Sequence, residues 1–397
     1  MLIPRRWPHV MPGELERMLK SPPQPAEAVN QFELVLAAYT GAKHAVCLNS
    51  GRQGMTLILR YLGVRAGDEV VVPAYTLGAL IPLVEGLGAR AIPADIDPHT
   101  MNVTVDSVRA RMSESTRAVI VLHAFGAPAP VQDIVAMAEE RGVKVVEDCA
   151  HSLGATLDGL QTGTFGHAGF FSFEITKPLN TYGGGAVVTN DDALVEYLRR
   201  ETAQLPHDLE GLTAKVQALK TERLLMGSGL AWPLLYLLAD PRTRGPLSAL
   251  YRNRQRVPSG AAAYTPAQAQ LGLEKATSLE ERIAARNRLA ECYNALLHPS
   301  IRPQHVADNA RSTWYFYVVR LPIDAGAARL ALLRRGIDTA IGDEIADDVA
   351  APRGFGDCPH AAALPHHAMA LPMYEELSER AVERVAKALN RLVKRRG

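Results

Sequence analysis

Lys177 is the residue whose surroundings first point to chemistry, in the stretch 171-FSFEITKPLNTYGGG-185. A lysine that follows a strand and precedes glycines has three ordinary uses: a surface charge, a point charge for phosphate, or an amine that forms a Schiff base. The apolar run before Lys177 and the loop with few side chains after it favour a confined site over a solvated face. The chain has no GxxxxGK[ST] sequence, so this lysine does not belong to a nucleotide-binding P-loop.

Two upstream segments contain the companions that a Schiff-base lysine needs, an anion site for a cofactor phosphate and a carboxylate for a pyridinium nitrogen. In 146-VEDCAHSLGA-155, Asp148 ends an apolar strand, where its carboxylate could pair with a protonated ring; capping of a following helix is the alternative. In 48-LNSGRQGM-55, a strand passes into a helix through glycines, and backbone N–H groups at a helix N-terminus bind anions. The three features in this order indicate one site.

Alternating strands and helices over residues 31–200 must position these groups. The apolar segments that read as strands are HAVCLNSG (44–51), EVVVPAY (69–75), ARAIPADID (89–97), TRAVIVLHAFG (116–126), VKVVEDCA (143–150), HAGFFSF (167–173) and GGAVVTN (184–190). Near-continuous apolar strands separated by helices predict an α/β fold with a mostly parallel sheet covered on both faces. Ligands of such sheets bind at the carboxyl ends of the strands, where Ser50, Tyr75, His123 and Asp148 stand.

This regular alternation ends after residue 200. A helix-like segment covers residues 266–297, TWYFYVVRLP (313–322) reads as a strand, and an amphipathic helix closes the chain. We therefore predict a large domain over residues 1–260, with an insert at about 205–258, and a small C-terminal α+β domain over residues 261–397.

The composition limits the classes of function. Hydrophobic residues make up 47% and charged residues 21% of the 397 residues, and the formal net charge of +1 gives no basic excess for nucleic acid. The four cysteines have neither a CxxC pair nor zinc spacing, which predicts reduced thiols and no metal site. No apolar run is typical of a signal peptide or a transmembrane helix, so a cytoplasmic location is expected.

The segment LLMGSGLAWPLLYLLA at 224–239 is apolar, has no charge and is flanked by Arg and Lys on both sides. It is too short to span a bilayer comfortably, and Gly227, Gly229 and Pro233 interrupt any helix. One interpretation is a buried contact between domains or subunits. The other is a peripheral membrane contact, with apolar residues in the interface and the basic flanks near anionic lipid.

Taken together, the order of the motifs resembles the DegT/StrS family of pyridoxal-phosphate enzymes. The motifs are the SG turn, GDEVVVPAYT, ADIDPHTMNV, VEDCAHSLGA, and FSFEITK followed by GGGAVVTN. The resemblance is strong over residues 30–195 and weaker from there to the end of the chain. It implies a fold-type I transferase, pyridoxal 5'-phosphate as the cofactor, and a place among enzymes that are mostly sugar-nucleotide aminotransferases.

Carried over position by position, the resemblance implies a role for each matching residue. Lys177 matches the lysine that forms the Schiff base and then moves a proton at the substrate carbon, and Asp148 matches the carboxylate on the pyridine nitrogen. The other cofactor-binding matches are His151 beside the ring oxygen, Ser172 on the phosphate, and Ser50 with Gly51 at the start of the phosphate turn.

Two further cofactor positions differ from the family. The family usually reads SGT, whereas this chain has Arg52, which either contacts the phosphate bidentately or points to a carboxylate or to solvent. In 73-PAYTL-77, Leu77 replaces an aromatic residue that stacks on the pyridine ring. Either Leu77 packs on the ring by dispersion alone, or Tyr75 takes part of that role.

The substrate side departs further. The family contributes an Asn, often with an Arg, from a partner subunit before the long helix, but 261-AAAYTPAQAQ-270 has neither. Gly342 and Asp343 replace the family's HY pair. These departures weaken the transfer of a nucleotide-sugar substrate to this chain, and they leave open whether a partner subunit supplies a phosphate ligand.

The resemblance implies an aminotransferase that works as a homodimer and moves an amino group, expected to come from glutamate, to a keto sugar. A nucleotide-linked sugar is the leading acceptor. The alternatives are a lipid-linked or membrane-associated acceptor, and a non-catalytic regulator that retains the fold. Lys177 argues against the family's sugar 3-dehydratases, which carry histidine at that position, whereas a variant that aromatises an amino-ring precursor stays open.

Overall fold

A seven-stranded sheet forms the centre of the computed structural model, which describes residues 2–20, 25, 27–227 and 261–394. The strands of this part of the chain are β1 His44–Leu48, β2 Glu69–Pro73, β3 Tyr75–Thr76, β4 Arg90–Ala94, β5 Thr116–Leu122, β6 Lys144–Asp148, β7 Thr156–Leu157, β8 Leu160–Gln161, β9 Ala168–Ser172, β10 Gly185–Thr189, β11 Arg302–Pro303, β12 Ala310–Arg311, β13 Tyr317–Arg320, β14 Ala340–Ile341, β15 Asp347–Asp348 and β16 Ala368–Leu371.

The central sheet has the order β1-β10-β9-β6-β5-β2-β4. Strands β4, β2, β5, β6 and β9 are parallel, and β10 is antiparallel to both of its neighbours, β9 and β1. The predicted α/β fold with a mostly parallel sheet is therefore confirmed. Five of these strands contain consecutive buried β-branched or aromatic residues, as in Val70–Val72 of β2, because both faces of the sheet are covered.

Helices cover the sheet and continue into the C-terminal part of the chain. In the described residues they are α1 Glu14–Lys20, α2 Glu27–Thr40, α3 Gly51–Tyr61, α4 Ile81–Glu85, α5 Val105–Arg109, α6 Val131–Glu139, α7 Asp192–Thr202, α8 Leu209–Gly227, α9 Pro266–Ala276, α10 Leu279–Leu296, α11 Ala325–Leu333, α12 Gly342–Ile345, α13 Pro359–His367 and α14 Glu379–Lys394.

A second sheet, of order β11-β13-β16-β14, lies in the C-terminal part and is packed by helices α10, α11 and α14. Helix α14 buries Val385 and Leu389 on one face and exposes charged residues on the other, as expected of an amphipathic helix. Helix α9 instead packs on α2 beside the central sheet. The domain boundary at residue 260 stays a prediction.

Two predictions about elements after residue 200 were wrong in detail. The helix predicted over 266–297 is divided into α9 and α10 at Thr277 and Ser278. The Thr277 hydroxyl donates to the Glu274 carbonyl at 2.7 Å, the kind of local bond by which Ser and Thr compete with a helix. The strand predicted over 313–322 is regular only from Tyr317, and the four residues before it form a loop that matters for the site below.

The apolar segment 224–239 lies outside the described residues from position 228 onward, so both interpretations of it stay predictions. Its first residues, Leu224 and Leu225 at the end of α8, are exposed. Across the described ranges, no helix combines the length and the apolar character that crossing a membrane requires.

Candidate active site

Parallel strands deliver the candidate residues to one edge of the central sheet. Asp148 ends β6, Ser172 ends β9, and Lys177 follows β9 in the loop that leads to β10. Since β6 and β9 are parallel and adjacent, their carboxyl ends lie side by side. The positive charge of Lys177 acts on the titration of both Asp148 and His151, so the structure brings these three groups together.

The Asp148 carboxylate is buried and, among the described residues, accepts one hydrogen bond, from the Ala150 N–H to Oδ1 at 3.0 Å. Burial raises the pKa of its carboxyl to about 6, against the lowering effects of the Ala150 bond and of the charges on Lys177 and His123. Residues 150–154 form turns, so capping of a following helix does not explain this aspartate. A buried carboxylate with free acceptor capacity is suited to a cationic partner.

Glu147 and His123 lie beside Asp148 and have a different task. The Glu147 side chain is fully buried and accepts from the backbone N–H groups of Gly163, Phe165 and Gly166 at 2.7–2.8 Å, and from His123 Nε2 at 3.0 Å. His123 Nδ1 accepts from the Ala129 N–H at 3.1 Å, which places the ring proton on Nε2. The two side chains therefore anchor strand ends and loops under the site.

Cys149 completes a His123–Glu147–Cys149 group whose donor atoms lie within 4.8 Å of one another, a spacing that metal ions also use. Both Glu147 oxygens already accept hydrogen bonds, and the protonated His123 Nε2 points at one of them. These bonds show that the group stabilises the end of β6 and the loops beside it.

The predicted phosphate turn has the geometry of an anion site. Ser50 is the N-cap of α3, and its hydroxyl accepts from the Gln53 N–H at 3.1 Å. A Cβ on Gly51 would lie 2.9 Å from the Phe171 carbonyl oxygen, and one on Gly185 would lie 2.5 Å from the Gly51 nitrogen. Only glycine therefore permits the N-terminus of α3 to approach β9 and β10 this closely.

Ser172 lies against this turn, because it pairs in register with Gly185, and Gly184 pairs with Ser50. Within the described ranges its hydroxyl makes no hydrogen bond. Ser50, Gly51 and Ser172 thus surround the positive end of the α3 dipole. Arg52 is half-buried in the first turn of α3, and its contact with a phosphate stays a prediction.

The two candidates for ring packing differ in their surroundings. The Tyr75 side chain is buried, and its hydroxyl donates to the Gly342 carbonyl at 2.6 Å. Burial raises the pKa of this phenol well above its ordinary value. Because Tyr75 is committed to Gly342, it is poorly placed to share a ring-packing role. Leu77, 44% exposed at the start of the following turn, remains the candidate.

An aromatic wall beside Lys177 was missed by the sequence analysis. The ring of Tyr315 stacks on that of His151 with centroids 4.4 Å apart, and His151 in turn lies 6.1 Å from Phe125. Lys177 Nζ lies 4.1 Å from the Tyr315 ring centroid. The signal in the sequence was the aromatic run TWYFY, which was interpreted only as a strand.

His151 is neutral in this wall. Burial, followed by the charge of Lys177, lowers the pKa of its imidazole well below the ordinary value. Its Nδ1 accepts from the Phe125 N–H at 3.3 Å, so the ring proton is on Nε2 and is available as a donor. This is compatible with the predicted position beside a ring oxygen, which stays a prediction.

A small cavity, partly open to solvent, lies at Lys177 and is bounded by segments from both ends of the chain. Residues 6–9 form one side, and Arg286, Met373 and Glu375 form another. Arg286 Nε donates to Glu375 Oε1 at 3.1 Å, whereas the buried Glu375 Oε2 has no partner among the described residues. Burial raises the pKa of Glu375, but the charge and hydrogen bond of Arg286 hold it below the ordinary value.

A buried ion pair holds the N-terminal side of this cavity in place. Lys275 Nζ donates to Glu14 Oε1 at 2.7 Å, to the His9 carbonyl at 3.1 Å and to Asn180 Oδ1 at 2.9 Å. The Tyr182 hydroxyl donates to the same Glu14 oxygen at 2.6 Å. Burial lowers the pKa of Lys275 to about 8, against the raising effect of Glu14. The N-terminal segment is thus tied to the loop that follows Lys177.

A family model described as the DegT/DnrJ/EryC1/StrS aminotransferase family matches residues 15–213 and 261–390. An L-glutamine:2-deoxy-scyllo-inosose aminotransferase of Streptoalloteichus tenebrarius is 31% identical over 335 residues, which are 80% of this chain and 71% of the relative. A UDP-N-acetyl-3-dehydro-alpha-D-glucosamine 3-aminotransferase of Acidithiobacillus ferrooxidans is 29% identical over 91% of this chain and 87% of its own.

A solved structure is also similar in fold. S. venezuelae DesV, crystallised in complex with a ketimine intermediate, superposes with a TM-score of 0.75 at 26% sequence identity. The superposition covers 96% of this chain and 93% of DesV.

Proposed function

The chain belongs to the DegT/DnrJ/EryC1/StrS aminotransferase family of pyridoxal-phosphate-dependent enzymes, and we propose that it moves an amino group from glutamate to the ketone of a cyclic keto sugar. The leading acceptor is a nucleotide-linked keto sugar. The observation that carries the proposal is the convergence of Lys177, Asp148 and the Ser50 turn at one sheet edge, next to a cavity with a mixed aromatic and polar lining.

The residues at this edge fit pyridoxal phosphate. The glycine-bounded turn at Ser50 and Gly51 and the unbonded hydroxyl of Ser172 suit a phosphate at the positive end of α3. Asp148 is a buried carboxylate with spare acceptor capacity, which suits a protonated ring nitrogen. The neutral His151 has a free Nε2–H for a ring oxygen. Arg52 and Leu77 complete the proposed set of cofactor contacts.

When bound, pyridoxal phosphate supplies an electron-withdrawing ring that makes the proton on the carbon beside the transferred amine acidic. The chain's own groups do the rest. Lys177 would take that proton and return it to the carbon on the other side of the transferred nitrogen, because it is the group of the proposed set with a basic amine. Asp148, ionised above about pH 6, would balance the positive charge on the ring nitrogen. The Tyr315 ring lies against the Lys177 amine.

The cavity supports a polyhydroxylated substrate. It combines the rings of Trp7, Tyr315 and Phe316 with the charged side chains of Arg286 and Glu375, and so offers both apolar and polar contacts to such a substrate. The unpartnered Glu375 Oε2 is a buried acceptor that a substrate hydroxyl would satisfy. The relatives named above act, by their names, on a ketone of a cyclitol and on a ketone of a UDP-linked sugar, and this supports the proposed acceptor class.

A direct experiment uses the purified chain with pyridoxal phosphate. We expect a yellow protein whose colour is lost on addition of L-glutamate, with release of 2-oxoglutarate, and a borohydride-trapped adduct on Lys177. L-Glutamine is the second donor to test, because it is the donor in the name of one relative. A panel of free and nucleotide-linked keto sugars then identifies the acceptor. A colourless protein, or an adduct on another lysine, would contradict the proposal.

We also propose a homodimer in the cytoplasm, as the family resemblance implies. Light scattering of the purified protein tests the dimer, and cell fractionation tests the location. Co-sedimentation with anionic vesicles, compared between the full chain and a variant without residues 224–239, tests peripheral membrane contact.

A further inference from the structure

Tyr315 has an unusual position for a residue that lies 138 positions after Lys177 in the sequence, because its ring is the nearest aromatic surface to the Lys177 amine. The residue is buried, Lys177 Nζ lies 4.1 Å from the ring centroid, and the ring stacks on His151 at 4.4 Å with an interplanar angle of 18°. We propose that Tyr315 is a positioning residue that holds the Lys177 amine in the orientation in which it reacts with pyridoxal phosphate and transfers protons. The inference rests on the proposed function.

A lysine side chain needs such a partner because four rotatable bonds separate its amine from the backbone. An aromatic face attracts an ammonium group, and the Tyr315 ring that presents this face is itself buried. The same contact confines the amine to a small volume. Reactions of a positioned group are fast only when the reacting atoms are held near their reactive separation.

The Tyr315 ring is itself held from several directions. Its hydroxyl lies 2.8 Å from the Thr176 hydroxyl, on the residue next to Lys177. Arg286 Nη1 donates to the carbonyls of Trp314 and Tyr315 at 3.0 and 3.3 Å, and the Thr313 hydroxyl donates to the His151 carbonyl at 2.7 Å. These contacts hold the Tyr315 ring in one position relative to the Lys177 loop and to His151.

The backbone at this turn is also constrained. Trp314 has φ of 46° and Phe125 has φ of 58°, both in the left-handed region that bulky residues rarely adopt. The Phe316 N–H, two residues after Trp314, donates to the Phe125 carbonyl at 3.3 Å, so this turn is joined to the loop that contains Phe125. Backbone strain of this kind persists where surrounding contacts maintain it, and it concentrates at functional sites.

The charges agree with the geometry. Burial raises the pKa of the Tyr315 phenol, yet the Lys177 charge, the Thr176 hydrogen bond and the Arg6 charge together bring that pKa below its ordinary value. The charge of Lys177 therefore acts directly on the Tyr315 phenol.

The test compares variants that keep or lose the ring. Tyr315→Phe keeps the ring and loses the hydroxyl, whereas Tyr315→Leu and Tyr315→Met lose the ring. The matched control is Tyr317→Phe, because Tyr317 is also buried but donates to Asn294 Oδ1 in the C-terminal core. Melting temperatures identify variants that fold, and Met is the second ringless variant because its flexible chain fills the volume with little strain.

The first measurement is the rate at which pyridoxal phosphate attaches to the cofactor-free protein. The lysine amine adds to the aldehyde carbon, a C=N bond forms and water leaves; absorbance follows the step, and borohydride trapping locates it. We expect the Leu and Met variants to react about 10- to 100-fold more slowly than wild type, the effect of displacing a reacting group by about 1 Å. The Tyr315→Phe and Tyr317→Phe variants should stay within about threefold of wild type, since both keep the Tyr315 ring.

The second measurement is the dissociation constant of pyridoxamine phosphate, which has no aldehyde and binds without a covalent bond. If Tyr315 acts through Lys177, this constant is unchanged in every variant. Ringless variants that react at the wild-type rate would overturn the proposal, and so would a slower reaction matched by an equal loss of pyridoxamine phosphate affinity. A wild-type protein that gives no colour would refute the proposed function and this inference together, whereas unequal rates among coloured variants bear on Tyr315 alone.

Discussion

The proposed cofactor side and the proposed substrate side of this site are built in different ways. The proposed cofactor side comes from strand ends and turns between residues 50 and 185, held by one mostly parallel sheet. The proposed substrate side is assembled from residues 6–9, the middle of α10 and two C-terminal loops, joined by side-chain bonds such as Arg286 to Glu375. A sheet edge fixes its residues through backbone geometry, whereas the substrate wall depends on individual ionic contacts, so substitutions in the two should have different consequences.

The same contrast appears on a smaller scale in two adjacent carboxylates. Glu147 and Asp148 project to opposite faces of β6, as neighbours in a strand do. Glu147 accepts four hydrogen bonds, whereas Asp148 accepts one. The four bonds of Glu147 stabilise the fold, whereas the Asp148 carboxylate keeps the capacity to accept further hydrogen bonds from a ligand.

Replacement of Lys177 should have the largest effect, because every step on the cofactor side needs its amine. We expect Lys177→Met to lower turnover by about 10⁴-fold or more, the upper range for loss of a proton-transfer group. Steady-state kinetics with L-glutamate measure it. Lys215→Met is the control, since Lys215 pairs with Glu174 at 3.2 Å near the same loop and is partly exposed. A Lys177→Met enzyme within tenfold of wild type would remove this lysine from the mechanism.

Asp148→Asn should lower the activity of the protein but raise its stability. We expect turnover to fall by about 10³-fold, because the neutral amide cannot balance a protonated ring nitrogen. The free energy of unfolding, in contrast, should rise in this variant. Since the carboxyl pKa is about 6 in the folded protein and its ordinary value is 3.8, the ionised form destabilises the cofactor-free protein above pH 6.

The Asn variant should therefore unfold with a free energy roughly 1–3 kcal/mol higher than wild type at pH 7.5 without cofactor. The gain should shrink as the pH falls from 6 toward 4, where the wild-type carboxyl takes up its proton. Urea unfolding at several pH values measures both. A variant that is less stable than wild type at pH 7.5 would show that Asp148 supports the fold, as Glu147 does.

Glu147→Gln makes the same isosteric change one residue away, but it should lower the free energy of unfolding, whereas Asp148→Asn should raise it. The amide replaces a carboxylate that accepts from three backbone N–H groups and from His123, and its NH₂ would face one of these donors. We expect a loss of about 2–4 kcal/mol in the free energy of unfolding. Urea unfolding at pH 7.5 again provides the measurement. Equal stability to wild type would mean that the four bonds are dispensable, and the contrast between the two carboxylates would fail.

Glu375→Gln tests the substrate side and should have the smallest effect. Colour and the reaction with L-glutamate should be unchanged, because Glu375 belongs to the cavity wall and not to the cofactor set. The KM of the keto sugar found in the acceptor panel should rise about tenfold with loss of one hydrogen bond to a charged acceptor. Glu376→Gln is the control, on an exposed neighbour near His9. An unchanged KM would leave the buried Oε2 without a substrate role.

Much of the cofactor side could be predicted from the sequence because its residues stand at the ends of apolar strands. Asp148, Ser172 and the Ser50 turn each follow such a run, and parallel strands place their carboxyl ends on the same edge. The helix at 266–297 and the strand at 313–322 were less accurate, because local hydrophobic pattern does not show where a chain breaks to make a tertiary contact.

The sequence by itself determined the α/β sheet, its burial and the order of residues along its active edge, since strand periodicity and apolar runs are local properties. Only the tertiary structure decided that the Glu147 carboxylate binds backbone N–H groups of the fold, whereas the Asp148 carboxylate keeps room to accept further hydrogen bonds. It also decided that Tyr315 lies against Lys177. It also decided that residues 6–9 meet Glu375 across the cavity. The contact of Tyr315 with Lys177 and that of residues 6–9 with Glu375 join segments separated by more than a hundred residues, whereas the Glu147 bonds join residues 16–24 positions apart. In both cases the partners are set by single hydrogen bonds and ring contacts, which no local pattern encodes.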